Sequence, residues 1–534
     1  MLIHSIGSPN PYPEILSSMD ILPTNTDSDA SFQQIERWLD KCNTIHSTCW
    51  TDTPKQLPTR VLDVGQDGDA FVRLYETSGE SERYICLSHC WGGYKSHVMT
   101  TSQTIAQNLR GIDMKSLPAS FRDVAIIARR FGIRFLWIDS LCIIQDDRDD
   151  WEQEAARMAS IYENAYLTVA GTHGNNSNVS LFSEVSDDIS YRDGILQPHA
   201  DRKLQIRNDK NELNTVYVRA YLPHSMEKDH AYDTLLQSQL PLLYRGWCFQ
   251  ERLLSPRVLH YRKNEVYWEC QEESTCQCSP NGQVGTLKEQ YRLAAASGSE
   301  TKTDSSWHDI VEQYSTLDLS FPKDKLPALS GVASKVQSIQ KTNYLAGLWE
   351  ATFLYDLTWY PTPKNKIPLE WRAPTWSWVS IGGPIRYLDA DDMVFTTKLL
   401  QAHCELKGKN PTGEVSEGFI RLSGPVREVS LEKQTNGTHL ISGTKLDMID
   451  SSFDVNPDIQ LRNQLSCLRL GQGIRGGPTW YYFIILEVVS PGSYEYPSYK
   501  RVGLWTPYTG SSDYDEEGFV AFLQTFTVQE VRVI

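Results

Sequence analysis

The sequence predicts an α/β protein: a mostly parallel sheet flanked by helices, then a helical segment, then a small all-β domain at the C-terminal end. Three observations carry this. Strand-sized apolar runs alternate with amphipathic helical stretches between residues 83 and 171, and strand–helix–strand spacing of that kind joins parallel strands through crossovers. Short strand patterns separated by turn residues dominate after residue 380. At 534 residues the chain is too long for one core, so two or three domains are expected.

Residues 1–30 are rich in Pro, Ser and Asp and predict a flexible N-terminal arm. Residues 31–82 start with a short helix from Phe32, followed by a Cys/His turn up to Trp50. The α/β domain spans 83–270. Tyr84–Leu87 is a short strand ending at Ser88-His89. A helix follows over 117–131, with Pro118 in its first turn and Phe121, Val124, Ala125, Ala128 and Phe131 on one face. Gly132 ends it in the left-handed conformation. Ile133–Ile138 is a second strand, ending at Asp139. Asp149 or Asp150 caps the next helix, whose face is Trp151, Ala155, Met158, Tyr162 and Ala165. Tyr166–Ala170 is a third strand, closed by Gly171. Polar residues 172–240 read as an insertion holding short strands. Residues 241–254 form a helix, and strands follow at 258–261 and 266–270. Residues 271–380 are a linker and a helical region, with helices near 307–318 and 326–357. Residues 381–534 are β-rich, with strands at 399–406, 419–422, 482–488 and 501–504.

Bulk properties narrow the function classes. Hydrophobic content of 40% with 22% charged residues is that of a globular chain. A net charge of −16 argues against nonspecific nucleic-acid binding, yet leaves room for a local basic cleft around a small anionic ligand. Eleven cysteines, irregularly spaced, and no secretory signal at the N-terminus predict thiols in a reducing, cytoplasmic compartment. The apolar run Trp480–Leu486 is strand-sized, so no membrane span is expected.

Tryptophan stands beside polar or charged residues in three stretches: Tyr84-Ile-Cys-Leu-Ser-His-Cys-Trp-Gly92, Trp137-Ile-Asp-Ser-Leu-Cys-Ile-Ile-Gln-Asp146 and Arg245-Gly-Trp-Cys-Phe-Gln-Glu251. Ser88 and His89 point to opposite faces of a strand, which disfavours a nucleophile–base pair. Either they cap the turn, or the Trp91-Gly92-Gly93 turn offers backbone amides to a phosphate. Asp139 at a strand's carboxyl end either caps a turn or takes ribose hydroxyls. Glu251 shares a helical face with Tyr244, Trp247, Cys248 and Leu254. Burial there raises its pKa unless Arg245 or Arg252 pairs with it. The acids Asp146 to Glu154 lack calcium-loop spacing and read as helix N-terminal charges. Gly471-x-Gly-x-x-Gly476 reads as a plain turn. Cys42-x3-His46-x2-Cys49 supplies three zinc-ligand types, and Cys270, Cys276 or Cys278 can supply a fourth. The bland alternative is buried thiols around a hydrogen-bonded histidine.

These stretches, in this order, resemble the heterokaryon-incompatibility (HET) domain family of filamentous fungi. Cys42-x3-His46-x2-Cys49, Leu326-Pro-Ala-Leu-Ser-Gly331, Gly347-Leu-Trp-Glu350 and Ala373-Pro-Thr-Trp-Ser-Trp378 add to the resemblance. It implies nonself recognition and programmed cell death. Trp247-Cys-Phe-Gln-Glu251 is also similar to the Trp-Cys-x-x-Glu segment of TIR domains, which implies a TIR-like or flavodoxin-like sheet. It further implies hydrolysis of NAD to nicotinamide and ADP-ribose, with Glu251 catalytic. Ser88, His89, Trp91, Gly92, Asp139, Arg245 and Trp247 then bind the nucleotide, and no cofactor is required. The rival reading is a non-enzymatic module that docks a protein partner or oligomerises, with Glu251 in a structural ion pair.

Overall fold

The computed structural model describes residues 2–5, 17–18, 25–49, 53–92, 98–184, 202–207, 213–219, 239–263, 265–283, 300–362, 368–388, 391–433, 465–489, 497–510 and 515–534, with a few shorter stretches between them. The chain divides into two compact units, residues 1–293 and 294–534.

The first unit is built on a ten-stranded sheet. Its centre is parallel, in the order Arg257–Tyr261, Leu167–Gly171, Tyr84–Ser88, Phe135–Trp137. Every residue of these strands is buried, as expected of a parallel centre covered on both faces. The flanks are antiparallel. Arg60–Asp63 pairs with Phe135–Trp137, then Phe71–Glu76 and Ile112–Asp113 follow on that side. Val266–Cys270, Ser274–Cys276 and Ser279–Gln283 follow on the other. The sheet is therefore mixed, which corrects the expectation of a mostly parallel one. The reason lies in the connections. Tyr261 to Val266 and Asp63 to Phe71 are joined by loops too short for a crossover, so each pair closes as a hairpin.

The helix Ala119–Arg130 buries Phe121, Val124, Ala125 and Ala128 and ends at Gly132 with φ +67°, while Pro118 sits just before its first turn. The helix Arg148–Asn164 is capped by Asp147, whose carboxylate accepts from the amides of Asp149 and Asp150. This corrects the cap by two or three positions. Its buried face also differs: Trp151 is exposed, and Glu154 is buried because the Thr59 hydroxyl donates to it at 2.7 Å. The expected flexible arm contributes the strand Leu2–Ser5. It pairs antiparallel with Leu213–Arg219 of the insertion, which in turn pairs with Arg202–Arg207.

In the second unit the longest helices among the described residues are Glu300–Ser315 and Ser330–Gln340, with shorter ones at Phe353–Asp356 and Glu516–Leu523. The helix expected to run to 357 is interrupted by the hairpin Tyr344–Leu345/Leu348–Trp349. Its two turn residues, Ala346 and Gly347, both have positive φ, the geometry of a type I′ turn. The Gly347 carbonyl accepts from the indoles of Trp307 and Trp378 at 3.1 and 3.0 Å. Trp376 and Trp378 are fully buried. Five strands, Leu465–Ile474, Thr479–Val489, Ser498–Trp505, Thr527–Val533 and Val415–Val429, pair in a ring and close a small barrel. Gly471 lies within the first of these strands, where a Cβ would come within 2.4 Å of the Val394 carbonyl. Among the described residues no helix is long and apolar enough to cross a membrane.

Candidate functional site

The parallel centre of the sheet brings Ser88 and Asp139 together. Cys86 is in register with Trp137, so two residues further on Ser88 stands level with Asp139 at the carboxyl edge of adjacent strands. The helix Gly246–Leu254 brings Glu251 to the same place. A 3-10 turn at Pro241–Tyr244 precedes this helix, and Arg245 separates the two in extended conformation. The expected continuous helix is therefore broken at Arg245, while Cys248, Glu251 and Leu254 keep the predicted buried face.

The Ser88 hydroxyl donates to Glu251 Oε2 at 2.5 Å, across 163 residues of sequence. The Trp91 indole donates to Asp139 Oδ2 at 2.7 Å, and the Ser140 amide donates to its Oδ1 at 2.6 Å. His89 Nδ1 lies 4.0 Å from Asp139 Oδ1, with its ring edge-on to Phe121. Ser88 and His89 thus face different partners, as opposite faces of a strand require. Glu251 is only 4% exposed, whereas the Asp139 side chain keeps 18% of its surface.

Burial dominates the electrostatics. Desolvation, then the charge of Asp139, pushes the Glu251 carboxyl up from 4.5 to about 7, against the opposing pull of Ser88, Arg245 and Tyr162. Desolvation likewise lifts Asp139 from 3.8 to about 6, against the Trp91 and Ser140 hydrogen bonds. No ion pair to Glu251 occurs among the described residues. Arg252 grips Glu269 instead, with both bonds at 2.8 Å, and Glu269 also meets His260 at 3.3 Å. Arg245 is half-buried and acts on Glu251 and Asp139 through its field alone.

Trp247 is half-buried and packs edge-to-face on Trp151 with centroids 6.5 Å apart. Gly92 has φ +79°, and a Cβ there would fall 2.4 Å from Asn176 Cβ, so close packing demands glycine. Gly93 lies outside the described residues. The acidic run is occupied by structural work. Asp146 accepts from Ser102, Asp150 pairs with Arg60, and Glu152 pairs with Arg148. Tyr162, which sequence reasoning placed on an apolar helix face, is the missed member of the site. Its hydroxyl, which donates to the Leu87 carbonyl at 3.3 Å, also lies close enough to Glu251 to hold that carboxyl down, while burial and then the charge of Glu251 push the Tyr162 phenol up. A tyrosine in an apolar stripe carries no signal of such a contact. Apart from this site, Cys42, His46, Cys49 and Cys270 converge elsewhere in the same unit, their ligand atoms all within 4.8 Å of one another.

Two carboxylates held near neutrality, with hydroxyl, indole and guanidinium groups around them, can share protons with a ligand and stabilise a developing positive charge. Residues 84–251 match the family model described as heterokaryon incompatibility protein (HET), whose limits fall on Tyr84 and on Glu251 itself. Neither the comparison with curated proteins nor that with solved structures finds a match.

Proposed function

Since the chain carries a HET domain at residues 84–251, we propose that it acts in heterokaryon incompatibility and the cell death that follows, and that its chemistry is hydrolysis of NAD. One observation supports this above the others. Glu251 and Asp139, from distant segments, stand near enough at the carboxyl edge of the parallel strands for the charge of Asp139 to act on Glu251, with raised pKa values and without an arginine ion pair. Packing gains nothing from such an arrangement, and active sites are where it recurs.

In the reaction, the bond between ribose C1′ and the nicotinamide nitrogen breaks. Its electron pair returns to the ring, which leaves neutral, and water adds to C1′ with loss of a proton. The transition state is positive at the ribose. Ionised Glu251 stabilises it electrostatically and accepts from the ribose hydroxyls, while Asp139 and Trp91 position the sugar. Arg245 meets the pyrophosphate. The cationic nicotinamide of the substrate itself favours the charged form of Glu251. The similarity of Trp247-Cys-Phe-Gln-Glu251 to the TIR segment supports the same assignment. A reducing cytoplasm, and a protein partner or self-association as trigger, complete the reading.

The rival is a signalling module without catalysis. The 4% exposure of Glu251 favours it, since a substrate must reach that carboxylate. Incubating the purified chain with NAD, with and without crowding or crosslinking, and following nicotinamide decides between them. The enzyme reading expects release that Glu251→Gln abolishes in a folded protein. Folded wild-type protein that releases no nicotinamide under either condition leaves the module reading.

A further inference from the structure

We infer that Cys42, His46, Cys49 and Cys270 form a tetrahedral structural zinc site, which clamps the end of the helix Asp29–Thr44 onto the antiparallel flank of the first unit's sheet. Cys42 lies in the last turn of that helix, and His46 and Cys49 follow in the turn after it. Cys270 ends the strand Val266–Cys270, where the Cys270 amide donates to the Glu273 carbonyl at 2.8 Å and the chain reverses. These segments are 228 positions apart (270 − 42), yet all four ligand atoms lie within 4.8 Å of one another. Zinc–sulfur bonds of about 2.3 Å in a tetrahedron place ligand atoms about 3.8 Å apart. Cys270 Sγ and His46 Nδ1 are 3.3 Å apart. All four residues are buried, and three sulfurs with one imidazole nitrogen select zinc.

The surroundings fit a metal better than a cluster of thiols. His46 turns its other nitrogen, Nε2, to Glu273 Oε2 at 3.5 Å, and Lys41 holds that carboxylate at 2.6 Å. A carboxylate behind a ligating histidine fixes the ring's orientation. The amides of Glu272 and Glu273 donate to the Cys270 sulfur. Arg257 is the stronger sign. Its guanidinium is fully buried and donates through Nε to Cys42 Sγ at 3.2 Å. Its other partners are the Tyr166 and Cys49 carbonyls, the Asn43 side-chain oxygen and the face of the Tyr166 ring at 5.0 Å, all neutral. A buried cation needs a counter-charge. Three thiolates around Zn²⁺ with a neutral histidine carry one negative charge, which supplies it.

Four protein ligands leave no open position, so the role is structural. Among the described residues a second group, Glu265, Cys276 and Cys278, offers three ligands, but its two sulfurs lie 2.8 Å apart, closer than the about 3.8 Å of zinc-bound thiolates, so one zinc per chain is expected. Metal analysis of the full chain, purified without chelator, should give one zinc per chain. X-ray absorption at the zinc edge should show three sulfurs at about 2.3 Å and one nitrogen at about 2.0–2.1 Å. Cys270→Ser should lose the metal, and Cys276→Ser should keep it. Folded wild-type protein without zinc, an oxygen-rich shell, or full zinc retained in Cys270→Ser overturns the assignment. Should Cys270→Ser fail to fold, the wild-type metal content and absorption spectrum still decide it.

Discussion

Replacing Glu251 by glutamine should stabilise the protein at neutral pH, and the size of the effect follows from the site. The folded carboxyl titrates at about 7 rather than at its ordinary 4.5. Below pH 4.5 both folded and unfolded states hold the proton, and the group contributes nothing. Between 4.5 and 7 the unfolded chain releases a proton that the folded chain keeps, so stability falls as pH rises. Above 7 the full penalty is in place, about 3 kcal/mol by linkage. Glutamine does not titrate and removes this slope. It weakens the hydrogen bond from Ser88, a pH-independent offset of about 1 kcal/mol. The difference between Glu251→Gln and wild type should therefore grow by about 3 kcal/mol in favour of the mutant from pH 4.5 to 7.5. Urea unfolding with proteolytic readout on peptides of residues 1–293 keeps this unit's transition apart from that of the other. A pH-independent difference refutes the reasoning. So does a mutant less stable by the roughly 3–5 kcal/mol expected when a buried arginine loses its partner. The pairing of Arg252 with Glu269 excludes that outcome here.

Three further outcomes follow. Ser88→Ala removes a hydrogen bond that favours the carboxylate, so the Glu251 pKa should rise above about 7, as read by carbon-13 NMR of the carboxyl. Gly347→Ala forces a side chain into φ +103° with its Cβ 2.6 Å from Trp378 Nε1; a loss of at least about 2 kcal/mol in denaturant unfolding is expected. Arg501→Met strands Asp454, which Arg501 contacts at 2.9 Å in the core of the second unit. That change should cost about 3–5 kcal/mol, again read by denaturant midpoint.

The parallel centre of the sheet was legible because its strands are apolar runs ending in Ser88-His89, Asp139 and Gly171, each bounded by a helix pattern. The antiparallel flank at Arg60–Asp63 and Phe71–Glu76 was not. In Phe71–Glu76 the exposed positions include the aromatic Phe71 and Tyr75, so the sequence lacks the apolar/polar alternation that its burial follows, and its pairing is set by tertiary contacts rather than by local pattern. The hairpin after Gln340 was hidden for a related reason: Tyr344, Leu345, Leu348 and Trp349 fall at spacings a helix also uses, and only the positive φ at Ala346 and Gly347 breaks it. In the site, the motifs named Ser88, Asp139 and Glu251 because polar residues interrupt apolar runs there. That neither Arg245 nor Arg252 pairs with Glu251 was beyond sequence, since Arg252 finds Glu269 on the neighbouring hairpin, 17 positions away. Cys270 as the companion of Cys42, His46 and Cys49 could be narrowed to three candidates, and only the register of the Val266–Cys270 hairpin selects it.

The central claim is that Glu251 is a carboxylate poised for a cationic ligand. It is tested most directly by a carbon-13 NMR titration of its carboxyl, assigned with Glu251→Gln, in the free chain and with a non-hydrolysable carbocyclic analogue of NAD. A midpoint of about 7 in the free protein, falling when the analogue's pyridinium ring binds beside it, is the result the account predicts. An ordinary midpoint near 4.5, or one that saturating analogue leaves unmoved, contradicts it.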